Sequence, residues 1–170
     1  MKSIGKMTFF IMVLFIAIMA STCQRENENC HTTIKFSNHS DKSIYVVESY
    51  KYPDTLNVQG IRHFALSHVQ WNKIEPNPNA QNGTALQQRS CWESIFNNRW
   101  DMTSDTLIVY VFDAELLELD NIINVDEITI NAIIQRYDLS LQDLQHVNWT
   151  LTYPPLPNMS AIKMYPPYGQ

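Results

Sequence analysis

The clearest strand signal in this chain is Leu107-Ile108-Val109-Tyr110-Val111-Phe112. Five of these six residues are β-branched or aromatic, and such residues favour an extended backbone. Alternation of apolar and polar residues would leave one face of a strand in water. An uninterrupted apolar run of this length instead predicts a strand buried on both faces. We therefore expect residues 107–112 to lie at the centre of a sheet.

Short helices and strands are predicted on the C-terminal side of this strand. Asp113 predicts the start of a helix over 114–118. Ser140 is followed three residues later by Asp143, a capping-box pattern with Asp in place of Glu, which predicts a helix to about Val147. The other expected elements are a helix near 125–130, strands over 132–137 and 149–153, and a flexible tail over 156–170.

On the N-terminal side, strand patterns recur around turn-forming residues. Thr32–Phe36 and Ser43–Val47 have strand patterns, and residues 38–41 between them favour a turn, which predicts an antiparallel hairpin. Cys91–Phe96 predicts a short helix. Further strands are expected near 64–66, 69–74 and 84–86. Residues 32–155 are thus predicted to form one α+β domain, an antiparallel sheet of sandwich-like or simpler form with two or three short helices.

Residues 1–22 have the features of a secretory signal peptide. Lys2 and Lys6 supply positive charge, and the apolar run over 8–20 has 13 residues. A helix needs about 20 residues to cross a hydrocarbon core of about 30 Å, so this run is too short to span it. Residues 1–22 are therefore predicted to be removed, which leaves residues 23–31 as a tether before the domain.

The end of the leader is Ala20-Ser21-Thr22, directly followed by Cys23. This junction resembles a bacterial lipobox, which implies that Cys23 carries diacylglycerol and acyl chains such as palmitate and becomes the mature N-terminus. Ala20 stands where Leu is usual, and Thr22 stands where Gly or Ala is usual. Ordinary signal cleavage with a free Cys23 is the alternative.

The mature chain is strongly acidic. Removing residues 1–22 takes away two lysines and no acid, so the remaining 148 residues carry 10 basic and 17 acidic side chains. The formal charge moves from −5 to −7. Such a charge argues against nucleic acid as a partner and against electrostatic docking on an anionic bilayer. With three glycines left there is no Gly-rich phosphate loop, and no cofactor is expected.

The cysteine count supports lipidation, because three cysteines leave an odd thiol in a secreted protein. If Cys23 carries lipid, Cys30 and Cys91 remain as an even pair in an oxidising compartment. A bridge between them would contribute about 2–4 kcal/mol. The alternative is two buried thiols.

Residues 136–154, RYDLSLQDLQHVNWTLTYP, resemble the C-terminal signature of a family of small uncharacterised lipoproteins of Bacteroidetes. The shared blocks also include Ile34–Val47, Tyr52-Pro53-Asp54, Trp92–Phe96 and Ser104–Leu107. The resemblance implies a lipoprotein of the cell envelope, an outer-membrane protein on its periplasmic or its outer side. It implies no activity, since the family has no assigned function.

Catalytic motifs are weak. Ser90-Cys91-Trp92 matches part of a papain-type signature, but the preceding Cys-Gly is absent and His146 is the sole downstream histidine. The five histidines lack metal-ligand spacing, so no metal site is expected. Residues 101–143 hold ten acids and one base, Arg136. A small envelope hydrolase that uses these carboxylates, Asp101, Asp113 and Asp138 among them, is therefore the alternative to a non-enzymatic binding or structural module.

The partners expected for such a module are the membrane, through the lipid, and an envelope protein or a glycan. Aromatic side chains beside Asp, Asn and Gln suit stacking on sugar faces, although most aromatics on strands are core residues. The aromatic candidates for glycan binding are Tyr50, Tyr52, Trp71 and Trp100. Thr55 and Thr106 each follow an Asp and precede a Leu, a pattern that resembles Bacteroidetes O-glycosylation sites.

Overall fold

The structure, a computed structural model, describes residues 26–53, 72–76, 84–98, 102–117 and 131–170. The strands in these ranges are β1 (Thr33–Asn38), β2 (Ile44–Ser49), β3 (Asn72–Ile74), β4 (Thr84–Gln87), β5 (Leu107–Asp113), β6 (Ile133–Leu139), β7 (Thr150–Tyr153) and β8 (Lys163–Tyr165). The helices are α1 (Trp92–Asn98), α2 (Ala114–Leu117) and α3 (Leu141–His146), with a 3₁₀ turn at Pro157–Met159. Predictions for residues 1–25 and for the segments 64–66 and 125–130 lie outside the described residues.

The strands form two sheets, with orders β4-β1-β7 and β3-β2-β5-β6-β8. All pairings are antiparallel except that of β1 with β7, which is parallel. Side chains of both sheets share one core, and the Tyr137 hydroxyl donates to the Thr152 carbonyl across it at 2.8 Å. The predicted α+β class, with antiparallel-rich sheets and short helices, is confirmed.

Strand β5 is the central strand that its sequence predicts. It pairs with β2 on one side and β6 on the other, and all seven residues are buried. Leu107, Val109 and Val111 belong to the shared core. Ile108, Tyr110 and Phe112 belong to a second cluster on the opposite, outer face of the five-stranded sheet. Burial of each such side chain contributes about 1.5–3 kcal/mol, which explains why this segment dominates the fold.

The predicted hairpin over residues 32–47 is wrong. Its two strands exist as β1 and β2, but they belong to different sheets. The buried Asn38 side chain explains the crossing, because its Nδ2 donates to the carbonyls of Lys42 and Ile74 at 2.7 and 3.0 Å. The Asn38 amide therefore stabilises the turn after β1 and links β1 to β3 in the other sheet.

Residues 156–170 do not form the loose tail that the sequence predicts. Met159, Ile162 and Met164 are buried in the shared core, and β8 pairs with β6 at the edge of the larger sheet. Because these three side chains are buried, residues 156–170 pack against the rest of the protein. The folded domain therefore extends past residue 155. The sequence after Pro154 shows no strand periodicity because β8 has only three residues, too few to form a recognisable pattern.

Other local predictions hold. Ser140 and Asp143 form a reciprocal capping box at α3, and Asp113 accepts from backbone amides at the start of α2. The strand over 132–137 is β6, and that over 149–153 is β7. No helix in the described part of the chain is long and apolar enough to cross a membrane.

Candidate functional site

Five side chains meet on the outer face at the β8 edge of the larger sheet: Tyr52, Arg136, Asp138, Lys163 and Tyr165. We call them the tyrosine–cation patch. Arg136 lies opposite Tyr165 and Asp138 lies opposite Lys163 in the β6–β8 ladder, so all four side chains share one face. The other neighbours of Arg136 and Asp138 in the sheet are Tyr110 and Ile108 of the second cluster, against which Tyr52 also packs.

One buried carboxylate holds both cations of the patch. Asp138 is 2% exposed at its side chain, and its Oδ1 accepts from Arg136 Nε at 2.6 Å. Its Oδ2 lies 3.2 Å from Lys163 Nζ. The contact with Arg136 is a charge-assisted hydrogen bond, whereas that with Lys163 is an ion pair without hydrogen-bond geometry. Burial of Asp138 limits the screening of both by solvent. Among the described residues, the patch thus brings two cations to one buried carboxylate.

The cations also lie against tyrosine rings. The Lys163 ammonium is 5.3 Å from the Tyr52 ring centroid and 5.7 Å from that of Tyr165, and it donates to Tyr52 Oη at 2.9 Å. The Arg136 guanidinium is 5.8 Å from the Tyr165 and Tyr110 centroids. These are cation–π distances, worth about 0.5–1 kcal/mol each at exposed sites. The charged groups therefore hold the rings in fixed positions.

The outer surface of the patch is accessible. Tyr165 is 50% exposed, and the Lys163 side chain is 53% exposed. The Tyr52 hydroxyl and Asp138 raise the pKa of the Lys163 ammonium, so it stays charged across the physiological range. The patch thus presents a flat aromatic ring and a permanent cation side by side.

The four predicted glycan-binding aromatics fall in different places. Tyr52 belongs to the patch. Tyr50 does not, because its ring packs on the shared core beside Trp92 and its hydroxyl accepts from Gln88 Nε2 at 2.6 Å. Trp71 and Trp100 lie outside the described residues.

Sequence patterns did not indicate that Lys163 contacts Tyr52, or that Tyr165 and Arg136 lie in the same patch. The only available signal was the alternation Lys163-Met164-Tyr165 before Pro166, in which the middle residue is buried and its neighbours are exposed. Lysine and proline are also typical of protected edge strands, and this argues against β8 as a site where another chain adds a strand.

A second arrangement fastens the N-terminal segment to the domain. Cys30 and Cys91 form a disulfide with Cα atoms 4.9 Å apart. The predicted bridge is therefore confirmed, and a thiolate nucleophile at Cys91 is ruled out. Closing a loop of 61 residues stabilises the fold by about 4 kcal/mol in the chain-entropy account.

His31, the next residue, adds noncovalent contacts. Its Nδ1 and its backbone amide lie 2.6 and 2.9 Å from the two carboxylate oxygens of Glu93, and its ring stacks on Trp149 at 4.3 Å. Burial raises the pKa of Glu93, but the hydrogen bonds from His31 outweigh it and hold that pKa below its ordinary value. The disulfide, His31, Glu93 and Trp149 form what we call the N-terminal clasp, which fixes the point where residues before Cys30 leave the domain.

The carboxylates proposed for hydrolysis do not pair among the described residues. Asp113 is buried and lies 2.9 Å from Lys42, while Asp138 is held by Arg136 and Lys163. Asp138 faces Ile108, five residues before Asp113 on β5, which separates the two by about 16 Å along the strand. Asp101 lies outside the described residues.

Two further site predictions concern metal binding and O-glycosylation. In the described part of the chain no group of three His, Cys, Asp or Glu side chains is arranged to hold a metal ion. Thr106 is half-buried just before β5, with its hydroxyl 3.4 Å from Asp105 Oδ1, and Thr55 lies outside the described residues.

Comparison with known proteins adds no relative: no family model, no curated protein and no solved structure matches this chain.

Proposed function

We propose that this protein is a lipid-anchored, non-enzymatic module of the bacterial cell envelope that binds a glycan through the tyrosine–cation patch. The observation that carries the binding part is the half-exposed Tyr165 ring held between Lys163 and Arg136. Sugars present an apolar C–H face, which stacks on an aromatic ring, and hydroxyl groups, which accept hydrogen bonds from cations.

The anchor is supported by cysteine parity. Cys30 and Cys91 are bonded to each other, so Cys23 is the one cysteine left for another use. Its position behind an apolar leader and the resemblance to Bacteroidetes lipoproteins support lipidation and an outer-membrane location. Acyl chains bind membranes strongly, since each buried CH₂ contributes about 0.8 kcal/mol.

The N-terminal clasp suits such an anchor. The tether predicted over residues 23–31 is short, and its residues 26–30 form a turn in which Asn27 and Cys30 bond each other through both backbone amides and the Glu26 carboxylate accepts from Thr32. The clasp then joins that short tether to α1 and the start of β7. A domain mounted in this way stays close to the membrane surface while its patch remains in contact with solvent.

A partner protein is the less favoured ligand. Large exposed apolar side chains in the described residues lie on separate elements: Leu116 on α2, Leu156 after β7, Tyr165 on β8 and Tyr168 near the C-terminus. Single exposed apolar residues of this kind are normal on a protein surface. A small hydrolase is also less favoured, because Asp113 and Asp138 are far apart and each is neutralised by cations.

Lipidation is tested by mass spectrometry of the mature protein extracted from membranes. The expected N-terminal peptide begins at Cys23 and carries a diacylglycerol mass. A free Cys23, or a mature N-terminus at another residue, would contradict the anchor.

Binding is tested on a glycan array with the lipidated protein in detergent, comparing wild type with Tyr165→Ala. Tyr45→Ala is the matched control, because Lys73 lies 5.9 Å from the Tyr45 ring at the opposite edge of the same sheet. We expect Tyr165→Ala to lose binding and Tyr45→Ala to keep it. Absence of any glycan binding by the wild type, or equal loss in both variants, would contradict the proposal.

A further inference from the structure

We infer that the glycan bound by the tyrosine–cation patch is a neutral sugar chain, recognised by stacking on Tyr165, and that Lys163 holds the ring in place instead of pairing with a ligand charge. This inference rests on the proposed glycan-binding function and specifies its ligand class. It follows from the groups around the Lys163 ammonium, from the exposure of Tyr165 and from the charge of the chain.

Three groups of the patch surround the Lys163 ammonium. It donates to Tyr52 Oη at 2.9 Å and lies 3.2 Å from Oδ2 of the buried Asp138. The Tyr165 side chain is the third group at which it is directed, and together the three groups raise the pKa of Lys163. An ammonium has three N–H donors, so the patch itself takes up every direction in which Lys163 can donate.

Exposure of Lys163 therefore does not make its charge available to an anion. The side chain is 53% exposed, but a ligand carboxylate would have to share or displace its contacts with Tyr52 and Tyr165. Taking a carboxylate out of water without new hydrogen bonds to its charge costs much more free energy than doing the same with a hydroxyl. A sugar hydroxyl, which can accept from a shared donor, is the better match for this surface.

The open part of the patch is an aromatic ring. Tyr165 is 50% exposed, and its centroid lies 5.7 Å from Lys163 Nζ and 5.8 Å from the Arg136 guanidinium. Cation–π contacts at these distances fix the orientation of the ring while half of the residue stays in solvent. The apolar C–H face of a sugar can stack on this open aromatic surface, a contact that needs no charge on the ligand.

The charge of the chain also favours a neutral ligand. The formal charge is −5 for the whole sequence and −7 without residues 1–22. A net-acidic protein repels polyanions as they approach and slows their association. An acidic polysaccharide would therefore be repelled by the protein as a whole and would find the donors of Lys163 already in use.

The first test is a glycan array of matched pairs, in which each neutral oligosaccharide stands beside a derivative that carries one added carboxylate or sulfate. The lipidated full-length protein is applied in detergent. We expect the neutral member of each bound pair to give a signal several-fold stronger. Equal or stronger binding of the anionic members overturns the neutral ligand class and leaves glycan binding intact, whereas a wild type that binds no glycan overturns both.

The salt dependence of binding is a second measure of ligand charge. Calorimetry with the glycan that gives the strongest array signal compares affinities at about 50 and about 300 mM salt, a range over which exposed charges become much better screened. We expect the two affinities to agree within about twofold, because stacking involves no ligand charge. A loss of affinity of about tenfold at high salt would overturn the inference.

A variant that frees one donor tests the arrangement around Lys163. Tyr52→Phe keeps the ring but removes the oxygen that accepts from the ammonium. We expect the ratio of anionic to neutral binding on the array to rise several-fold, because a donor becomes available to a carboxylate or sulfate. Tyr45→Phe is the matched control, since it removes the hydroxyl of a tyrosine that also has a lysine, Lys73, 5.9 Å from its ring, at the opposite edge of the sheet.

Circular dichroism melting checks that both variants are folded. If Tyr52→Phe melts below the working temperature, Lys163→Arg replaces it, because a guanidinium has five donors where the ammonium has three, and the same rise in the ratio is expected. An unchanged ratio in the folded variant overturns the view that the patch occupies the donors of Lys163. An equal rise in Tyr45→Phe overturns the placement of the ligand at this residue.

Discussion

Two buried aspartates lie on neighbouring strands of the five-stranded sheet, and their surroundings differ in one respect. Asp113, at the end of β5, has one cation, Lys42, at 2.9 Å, and its other oxygen accepts from the amides of Glu115 and Leu116 at the start of α2. Asp138, on β6, has two cations and no helix to cap. One carboxylate pairs with one lysine and caps a helix, whereas the other pairs with two cations beside an exposed tyrosine ring.

A binding surface and a structural ion pair can thus be told apart by what surrounds the carboxylate. Both aspartates are buried and both have partners, so burial and pairing do not separate them. Their partners do, since Asp113 bonds one lysine and two backbone amides, whereas Asp138 pairs with two cationic side chains. The exposed tyrosine ring lies at the second of these places.

Replacing the two aspartates should have the most different effects on the free energy of unfolding. Asp138→Asn removes the charge that holds two cations, one of them mostly buried, and should lower the free energy of unfolding by about 3 kcal/mol, the lower end of the range for breaking a buried pair. Asp113→Asn keeps an amide oxygen that can cap α2 and should cost about 1 kcal/mol. Urea denaturation at pH 7 measures both, and equal losses would contradict the distinction.

The pH dependence of stability sharpens the assignment of Asp113. Burial raises its pKa, but the hydrogen bond and charge of Lys42 and the amides of α2 outweigh this and hold the pKa below its ordinary value of 3.8. Ionised Asp113 therefore stabilises the fold above that value, and the contribution is lost as pH falls through the lower, folded-state pKa. We expect the stability gap between wild type and Asp113→Asn to be constant near neutral pH and to close below pH 3.8, as measured by thermal melts.

Glu48 extends the comparison to a carboxylate with no cationic partner among the described residues. It lies on β2 opposite Val109, and burial raises its pKa above the ordinary value of 4.5. Ionised Glu48 therefore destabilises the folded state at neutral pH, and this effect fades as pH falls through the raised pKa toward 4.5.

Glu48→Gln should raise the free energy of unfolding at pH 7 by up to about 1 kcal/mol, a typical gain for a single stabilising change. The gain should shrink as pH is lowered to 4.5, where the unfolded chain also takes up a proton. A loss of stability at pH 7 would show that Glu48 has a role which its burial does not reveal.

How much the sequence predicts depends on how far apart the partners are. The strand over 107–112, the capping box of Ser140 with Asp143 and the start of α2 at Asp113 follow from neighbours in sequence, and all are present. The Cys30–Cys91 pair was predictable because few cysteines leave few pairings. Local patterns, however, do not state which strand pairs with which.

The patch was beyond sequence reasoning for that reason. Tyr52 lies in the turn after β2 and the other residues of the patch lie on β6 and β8, and the short β8 is recognisable only by its pairing with β6. The wrong hairpin has the same cause. Strands β1 and β2 have the expected local pattern, but the Asn38 amide bonds the Ile74 carbonyl of β3, and the two strands lie in different sheets. Side-chain contacts between distant segments decided both outcomes.

The central claim is that the Asp138 end of the sheet binds a glycan and the Asp113 end does not. The most direct measurement is the affinity of wild type, Asp138→Asn and Asp113→Asn, by calorimetry, for the glycan that the wild type binds best on the array, at a temperature where all three proteins are folded. The account predicts at least tenfold weaker binding for Asp138→Asn, because Lys163 and Arg136 lose their common support, and wild-type affinity for Asp113→Asn. Wild-type affinity in Asp138→Asn, or an equal loss in both variants, would contradict it.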